Sequence, residues 1–151
     1  MRIMFVCTGN ICRSPMAEIY FRELCKRSGN KDVVVDSAGT FAPPFMSMTG
    51  AAIEALRECA GIQVKKPRKN KQFKRQMIQE FDHIIGMTED HVRRIGDFKN
   101  VYTLGRATGC GEVPDPWGNS QEVYTQVFNQ IKDALDILYT KLMDKEKEKG
   151  A

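Results

Sequence analysis

The residues with the clearest chemical potential lie near the start of the chain, in the segment Cys7-Thr8-Gly9-Asn10-Ile11-Cys12-Arg13-Ser14-Pro15. A cysteine thiolate is a nucleophile that forms covalent intermediates, and the planar guanidinium of arginine matches two oxygens of a phosphate group. The spacing of Cys7 and Arg13 arises often by chance, so it gains meaning only from its surroundings. In these surroundings Cys7 is the candidate nucleophile and Arg13 the candidate phosphate clamp.

The elements on either side of this segment explain what it could bind. A predicted strand, Ile3 to Val6, precedes it, and a predicted helix begins near Arg13. In open parallel sheets, ligands bind beyond the carboxyl ends of strands, where helix N-termini present unpaired N–H groups and a positive dipole end. We therefore expect the loop backbone to wrap around a phosphate dianion. The predicted phosphate-binding residues are Thr8, Gly9, Asn10, Ile11, Cys12 and Arg13.

Other features of the loop fit the same chemistry. Gly9 and Asn10 both tolerate positive φ, which makes a tight anion-binding turn inexpensive. The positive field at the helix start favours the thiolate form of Cys7, and Ser14 could donate a hydrogen bond to that sulfur, so we include it among the predicted catalytic residues. In a purely structural interpretation, Cys7 closes a buried strand and Arg13 is an exposed helix residue. That interpretation leaves Gly9 and Asn10 unexplained.

A candidate proton donor occurs in the segment Val113-Pro114-Asp115-Pro116-Trp117-Gly118. The phenolate that leaves a tyrosine phosphate has a conjugate acid with a pKa of about 10, so an acid aimed at the leaving oxygen lowers the barrier. Asp115 is the predicted donor because two prolines stiffen its loop, and Trp117 supplies an apolar neighbour. The alternative interpretation is an ordinary turn with a half-buried tryptophan.

Composition restricts the class of protein. A length of 151 residues with 42% hydrophobic and 28% charged residues fits one globular domain over 1–151. The net charge of +4 suits anionic ligands and is too small to require nucleic acid. No segment is apolar for long enough to be a signal peptide or membrane span, which predicts a cytoplasmic protein. Five irregularly spaced cysteines predict free thiols, and neither histidine has cysteines at metal-ligand spacing, so we expect no metal and no cofactor.

Short apolar runs alternate with helical patterns, which indicates an α/β fold with a parallel sheet and helices on its faces. The predicted strands are Ile3 to Val6, Val33 to Val35, His83 to Ile85 and Val101 to Leu104. The predicted helices start near Arg13, run from about Thr49 to Ala60, cover 88–95, and extend from Val123 to Leu142 with a frayed tail. The glycine-rich stretch from Gly105 to Gly111 is interpreted as a loop.

The segment from Val6 to Pro15, with Ala17-Glu18, resembles the first loop of the low-molecular-weight protein-tyrosine phosphatases. Further segments are similar to the family in the family's order, and most of the chain is covered. These segments are Val35-Asp36-Ser37-Ala38-Gly39-Thr40, Gly61-Ile62, Phe81-Asp82-His83-Ile84-Ile85 with Met87, and Asp115-Pro116. The resemblance implies a single domain with a four-stranded parallel sheet flanked by helices, of the Rossmann-like phosphotyrosine phosphatase I type.

The resemblance also implies an activity, which is hydrolysis of phosphotyrosine and small aryl phosphates through a cysteinyl-phosphate on Cys7. In that mechanism Asp115 acts first as an acid and then as a base for water, and no metal takes part. Asn10 and Ser37 are implied to form a supporting hydrogen-bond network, and Cys12 to shield Cys7 from overoxidation through a reversible disulfide. The expected partners are phosphotyrosine proteins or small aryl phosphates, with inorganic phosphate as the product. We expect a monomer or a weak homo-oligomer.

The chain departs from the family pattern at two places. Pro43 stands where the family usually has an aromatic wall of the substrate pocket, and Phe41 and Phe45 flank it, so either could supply the wall opposite Trp117. Lys66 appears at the position of a supporting histidine. Lys66 also belongs to a stretch, 65–75, in which seven of eleven residues are basic, and we interpret that stretch as a solvated loop leading into a helix.

Two other functions compete with phosphatase activity. A thiol-dependent arsenate reductase of the same architecture uses the same first loop, but it needs two closely spaced downstream cysteines for its relay. Here only Cys59 and Cys110 follow, far apart in sequence. A non-catalytic phosphotyrosine-binding module would keep the anion loop and lose the nucleophile or the acid, whereas Cys7, Arg13 and Asp115 are all present.

Overall fold

The computed structural model describes residues 1–150 and shows an α/β fold, in which helices cover a four-stranded parallel sheet. The strands are β1 (Arg2–Cys7), β2 (Val34–Gly39), β3 (His83–Gly86) and β4 (Val101–Thr103). The helices are α1 (Arg13–Arg27), α2 (Gly50–Ala60), α3 (Met77–Glu80), α4 (Glu89–Ile95), α5 (Leu104–Thr108) and α6 (Gln121–Lys149). The predicted fold class is confirmed.

The order of the strands places the loop after β1 at the centre of one sheet edge. The sheet order is β2-β1-β3-β4, and every neighbouring pair is parallel. Cys7, the last residue of β1, pairs with Gly39 of β2, and Val6 pairs with Gly86 of β3. The chain crosses to opposite sides of β1, which makes this edge the switch point where ligands bind in such sheets.

Strand β1 is buried on both faces, and its alternate residues belong to two separate cores. Ile3, Phe5 and Cys7 pack in the core formed with α1, α2 and α6. Met4 and Val6 pack in a smaller core that includes residues of α4 and β4. A continuous apolar run is typical of a parallel strand covered on both sides. Cys7 therefore sits at the end of a strand that is buried on both faces.

Most of the helix predictions are confirmed. Helix α1 begins at Arg13, directly after the anion-binding candidate loop. Helix α2 begins after Thr49, whose side chain accepts a hydrogen bond from Ala52 N, and it ends at Gly61 in the left-handed conformation with φ 65°. Helix α6 continues past the predicted stripe to Lys149. Among residues 1–150, no helix is both long enough and apolar enough to cross a bilayer.

The end of β2 and the junction of β4 with α5 differ most from the sequence prediction. Strand β2 runs to Gly39, because its polar residues Asp36 and Ser37 are satisfied by partners near the site and not by solvent. Leu104 begins α5 and does not end β4, so the prediction of a loop from Gly105 is wrong for the first part of that stretch. The start of helix α5 is capped by Thr103, whose hydroxyl oxygen accepts a hydrogen bond from Arg106 N. The glycines of this stretch favoured the prediction of a loop and outweighed this local signal.

Gly39 is expected to tolerate no side chain. A methyl group there would overlap the carbonyl oxygen of Thr8 and lie 3.1 Å from the backbone nitrogen of Asn10, and backbone atoms cannot rotate away. Gly39→Ala should lower the free energy of unfolding by roughly 1–3 kcal/mol, the usual cost of overpacking. Gly50→Ala is the matched control, since a methyl at Gly50 meets nothing within 4 Å. Urea unfolding checks this, and equal stability of the two variants would contradict it.

Candidate active site

A cavity of about 270 Å³ opens at the carboxyl end of β1. Three separate parts of the chain form it, namely the loop after β1, the loop after β2 and the segment that precedes α6. Its lining residues are Cys7, Thr8, Gly9, Asn10, Ile11, Cys12, Arg13, Phe41, Pro43, Met46, Asp115 and Trp117. The structure thus brings the three residues singled out from the sequence, Cys7, Arg13 and Asp115, to the same cavity.

The segment Thr8 to Arg13, here called the anion loop, leaves its amides unpaired. Within residues 1–150, no backbone N–H from Gly9 to Arg13 donates a hydrogen bond to the protein. No side chain caps the start of α1 either. Asn10 adopts the left-handed conformation with φ 58°, whereas Gly9, which also tolerates positive φ, does not use it here. Free N–H groups at a helix start form a site for an anion.

The sulfur of Cys7 lies beside a serine hydroxyl that is also bound by Asn10. Cys7 is buried, and its Sγ lies 2.9 Å from Ser14 Oγ. Asn10 Nδ2 donates to the same Ser14 oxygen at 2.7 Å. The Ser14 oxygen accepts from the amide and keeps its own hydrogen, which it can donate to the sulfur. A donor pointed at sulfur stabilises the thiolate over the thiol.

The Asn10 side chain is itself held by donors that fix its orientation. Its Oδ1 accepts hydrogen bonds from Arg68 Nη1 at 2.7 Å and from the backbone nitrogen of Lys71 at 2.9 Å. Its Nδ2 also donates to Ser37 Oγ at 3.0 Å, and Ser37 donates in turn to Glu18 Oε1 at 2.6 Å. Since Oδ1 faces only donors, the oxygen and nitrogen of the side-chain amide cannot exchange places. The Asn10 nitrogen is therefore the atom that faces Ser14.

Arg68 is the residue that the sequence interpretation missed. Its Nε lies 2.6 Å from Glu18 Oε1, and its Nη2 donates to Ser37 O at 2.6 Å. Glu18 is only 3% exposed, so its carboxylate requires a cation, which Arg68 provides together with Arg22. Lys66, expected at the supporting position, is exposed. The interpretation of the basic stretch as solvated is therefore wrong at Arg68.

Arg13 and Asp115 lie next to each other in the cavity. The Arg13 side chain is only 6% exposed, and its Nη1 donates to Val113 O at 3.1 Å. Arg13 Nη2 lies 3.8 Å from Asp115 Oδ2, and the Asp115 side chain is 55% exposed. The other carboxylate oxygen of Asp115 accepts a hydrogen bond from Trp117 N at 3.1 Å. The carboxyl group thus lies on the open side of the cavity, whereas the Cys7 sulfur is buried.

Aromatic residues form the rim of this cavity. Phe41 and Trp117 line it and are largely exposed, whereas Phe45 is fully exposed and lies outside the lining. Of the two phenylalanines that flank Pro43, Phe41 is therefore the one that the structure brings to the cavity. The loop after β2, which carries Phe41 and Pro43, is linked to the anion loop, because Asn70 Nδ2 donates hydrogen bonds to both Gly9 O and Pro43 O.

Comparison with known proteins agrees with this geometry. Residues 2–149 match the family described as low molecular weight phosphotyrosine protein phosphatase. The chain belongs to this family. A protein-arginine-phosphatase of Bacillus subtilis (strain 168) is 38% identical over 144 residues, which cover 89% of this chain and 92% of the relative.

Two solved structures extend the comparison. The low molecular weight protein tyrosine phosphatase from T. tengcongensis is 33% identical, with a TM-score of 0.84 over 93% of this chain and 99% of that one. A mutant arginine phosphatase with a phosphorylated active site serine is 35% identical, with a TM-score of 0.85 over 95% of this chain and 96% of that one. This chain is therefore a protein phosphatase of the low molecular weight family.

Burial raises the pKa of three of the four remaining cysteines of this phosphatase. Cys12 Sγ lies 3.1 Å from the hydroxyl of buried Tyr124, and burial raises the pKa of Cys12 above its ordinary value. Burial likewise raises the pKa of Cys25 and of Cys59. All five cysteines are free thiols, and Cys59 and Cys110 do not form a disulfide.

His91 is a second residue whose place in the phosphatase site the sequence did not reveal. It lies in α4 and is 2% exposed, and its Nε2 is 2.9 Å from Oγ1 of Thr8 in the anion loop. Its Nδ1 accepts a hydrogen bond from Thr88 N at 3.1 Å. Burial, followed by the positive charge of Arg13, lowers the pKa of His91 to about 4. The only hint in the sequence was a histidine in the first turn of a short helix.

Arg68→Ala should destabilise the phosphatase and impair its catalysis. The substitution leaves the buried Glu18 carboxylate with Arg22 alone and removes one donor from Asn10, so we expect a loss of about 2–3 kcal/mol in the free energy of unfolding. Arg68→Lys keeps the charge but not the fork of donors, so its free energy of unfolding should lie between those of the wild type and Arg68→Ala. Lys66→Ala serves as the control and should stay within about 0.5 kcal/mol of the wild type. Denaturant unfolding measures all three, and an Arg68→Ala variant as stable as the Lys66→Ala variant would refute the assignment.

His91 should make stability depend on pH. Its folded-state pKa of about 4 is below the ordinary value of 6.5, so the unfolded chain binds the proton first as the pH falls. The contribution of neutral His91 to the free energy of unfolding is fully present above pH 6.5 and is lost progressively as the pH falls towards 4. At pH 4.5 the loss should be about 2.5 kcal/mol. The difference in unfolding free energy between the wild type and His91→Gln should therefore shrink from pH 7.5 to pH 4.5. A difference that stays constant over this range would show that His91 titrates normally.

Proposed function

We propose that this protein hydrolyses phosphotyrosine in proteins, and small aryl phosphates, through a cysteinyl-phosphate intermediate on Cys7. The observation that carries the proposal is the single cavity in which a buried, hydrogen-bonded sulfur lies beneath unpaired amides, with a carboxyl group at the open side. The expected site residues are Cys7, Arg13, Asp115 and Ser14 for catalysis, with Thr8, Gly9, Asn10, Ile11 and Cys12 around the phosphate and Ser37 in support.

In the first step, Cys7 Sγ attacks the phosphorus atom. The S–P bond forms while the P–O bond to the phenol oxygen breaks, and the Asp115 carboxyl donates its proton to that oxygen. Arg13 and the amides of the anion loop stabilise the negative charge on the three remaining phosphate oxygens. Ser14 holds the sulfur as a thiolate before attack and is still directed at it when the thiolate leaves again.

In the second step, water attacks the phosphorus of the cysteinyl-phosphate. The Asp115 carboxylate accepts a proton from the water as its oxygen bonds to phosphorus, and the S–P bond breaks to return the Cys7 thiolate and inorganic phosphate. The solved arginine phosphatase mutant with a phosphorylated active site serine supports a covalent intermediate in a relative. We propose that the enzyme acts in the cytoplasm without a metal or cofactor, as a monomer or weak homo-oligomer.

Replacement of single residues should separate the chemical roles. Cys7→Ser should abolish hydrolysis of p-nitrophenyl phosphate measured with EDTA present, because an unactivated hydroxyl cannot form the intermediate. Asp115→Asn should lower kcat/KM, which reports the steps up to departure of the phenol, by about 100-fold or more for phenyl phosphate, and less for the nitrophenyl ester, whose leaving group needs less protonation. Equal losses on both esters would mean that another group is the acid. Binding of phosphotyrosine without turnover by the wild type would favour a non-catalytic module.

A second candidate substrate is phosphoarginine in proteins. A relative that is 38% identical is named a protein-arginine-phosphatase, and Asp115 could pair with a guanidinium group as well as protonate a phenol. The walls of the cavity favour the aromatic substrate, because Phe41, Pro43 and Trp117 offer apolar faces to a ring. Among the described residues that line the cavity, Asp115 is the only one with a carboxylate, and the first step already uses it as an acid.

Matched peptides that carry phosphotyrosine or phosphoarginine should distinguish these substrates. We expect kcat/KM to be higher for phosphotyrosine, and Phe41→Ala to lower that value by about 10-fold through loss of a stacking face. Phe45→Ala is the control and should leave it unchanged, since Phe45 lies outside the lining. Faster turnover of the phosphoarginine peptide would make arginine the substrate.

A further inference from the structure

His91 connects helix α4 to the anion loop through a buried side chain. The imidazole is 2% exposed, and both of its nitrogens are occupied. Nδ1 lies 3.1 Å from the backbone nitrogen of Thr88 and 3.1 Å from Thr88 Oγ1, and Nε2 lies 2.9 Å from Thr8 Oγ1. Thr8 is exposed and lines the active-site cavity, so the contact joins a buried base to a residue of the site.

The partners of His91 determine where its proton lies. A backbone N–H can only donate, so Nδ1 must accept the hydrogen bond from Thr88 N. The neutral ring therefore carries its proton on Nε2, and Nε2–H donates to the Thr8 hydroxyl oxygen. Burial favours this neutral state, and so does the charge of nearby Arg13, while Asp90 and Asp115 act in the opposite direction and Arg94 in the same one.

The Thr8 hydroxyl is shared with the phosphate clamp. Thr8 Oγ1 lies 3.5 Å from Arg13 Nη2, the nitrogen that also faces Asp115. The other terminal nitrogen of Arg13 donates to Val113 O. The guanidinium is thus bounded on one side by the segment that carries Asp115 and on the other by Thr8, and Thr8 in turn is held by His91.

We propose that His91 is a positioning residue for phosphoryl transfer: its Nε2–H holds the Thr8 hydroxyl beside Arg13 and so sets the plane of the guanidinium that clamps the phosphate. This inference rests on the proposed phosphatase mechanism. A bidentate clamp depends on its plane, and small errors in the position of a charged donor weaken transition-state stabilisation more than they weaken ground-state binding. Loss of the His91 contact should therefore act mainly on kcat.

The test uses the full-length enzyme, whose turnover is first shown to disappear in Cys7→Ser. His91→Asn can keep an acceptor for Thr88 N but cannot reach Thr8, whereas His91→Gln can present a donor near the former Nε2. Thr8→Val removes the hydroxyl at nearly constant shape, and Thr8→Ser keeps it. We measure kcat and KM with p-nitrophenyl phosphate for each variant and for the double variant His91→Asn/Thr8→Val, together with thermal unfolding.

The expected result is a drop in kcat of about 10-fold for His91→Asn and for Thr8→Val, with KM changed less than about threefold. The double variant should be no slower than the slower single variant, because both substitutions break one chain of contacts. His91→Gln and Thr8→Ser should recover most of the rate. If His91→Asn does not fold, Thr8→Val carries the test, because a folded Thr8→Val variant with the wild-type kcat would show that the Thr8 hydroxyl does not position Arg13.

Two outcomes overturn the proposal while the wild-type turnover stands. A His91→Asn variant that melts earlier but keeps kcat and KM would show that His91 only stabilises the start of α4. Losses that multiply in the double variant would show that His91 and Thr8 act independently. Failure of the proposed function itself would look different, as wild-type protein that does not turn over or a Cys7→Ser variant that does.

Discussion

A single buried amide, that of Asn10, connects the backbone of the anion loop to the hydroxyl that reaches the nucleophilic sulfur. Its left-handed backbone turns the loop so that neighbouring N–H groups remain unpaired, and its side chain orients Ser14 towards Cys7. Backbone shape and thiolate stabilisation therefore depend on one residue. An asparagine suits this position, because it tolerates positive φ and offers a donor and an acceptor on one short side chain.

The groups around Asn10 are preorganised, and burying them costs desolvation free energy. Glu18, Ser37 and Arg68 form a charged network that is mostly buried, next to β1 and β2, where apolar residues would pack with less desolvation. Its benefit is that every donor and acceptor near the sulfur has a fixed direction before substrate arrives. Preorganised dipoles contribute to catalysis because they need not reorient during the reaction.

The sequence predicted those parts of the site that are contiguous in the chain. Strand, loop and helix follow one another from Ile3 onward, and the prolines around Asp115 mark a second loop, so Cys7, Arg13 and Asp115 could be chosen from local patterns. Arg68 and His91 could not, because each acts across a tertiary contact. Nothing near Arg68 distinguishes it from the other cations of its stretch until that stretch pairs with Gly39 and Ser47. The same reason explains why the predicted second strand ended too early. The polar residues at the end of β2 can be recognised as part of a strand only when their partners are known.

The choice of arginine at position 68 has a consequence for how the enzyme responds to acidity. A guanidinium keeps its proton at every pH at which a protein stays folded. The hydrogen bond from Arg68 to Asn10 therefore has no titration of its own, unlike one from an imidazole. Alignment of the nucleophile through Asn10 is in this way separated from the surrounding proton concentration, and a change of turnover with pH has to come from other groups, such as those that meet the substrate or the imidazole of His91.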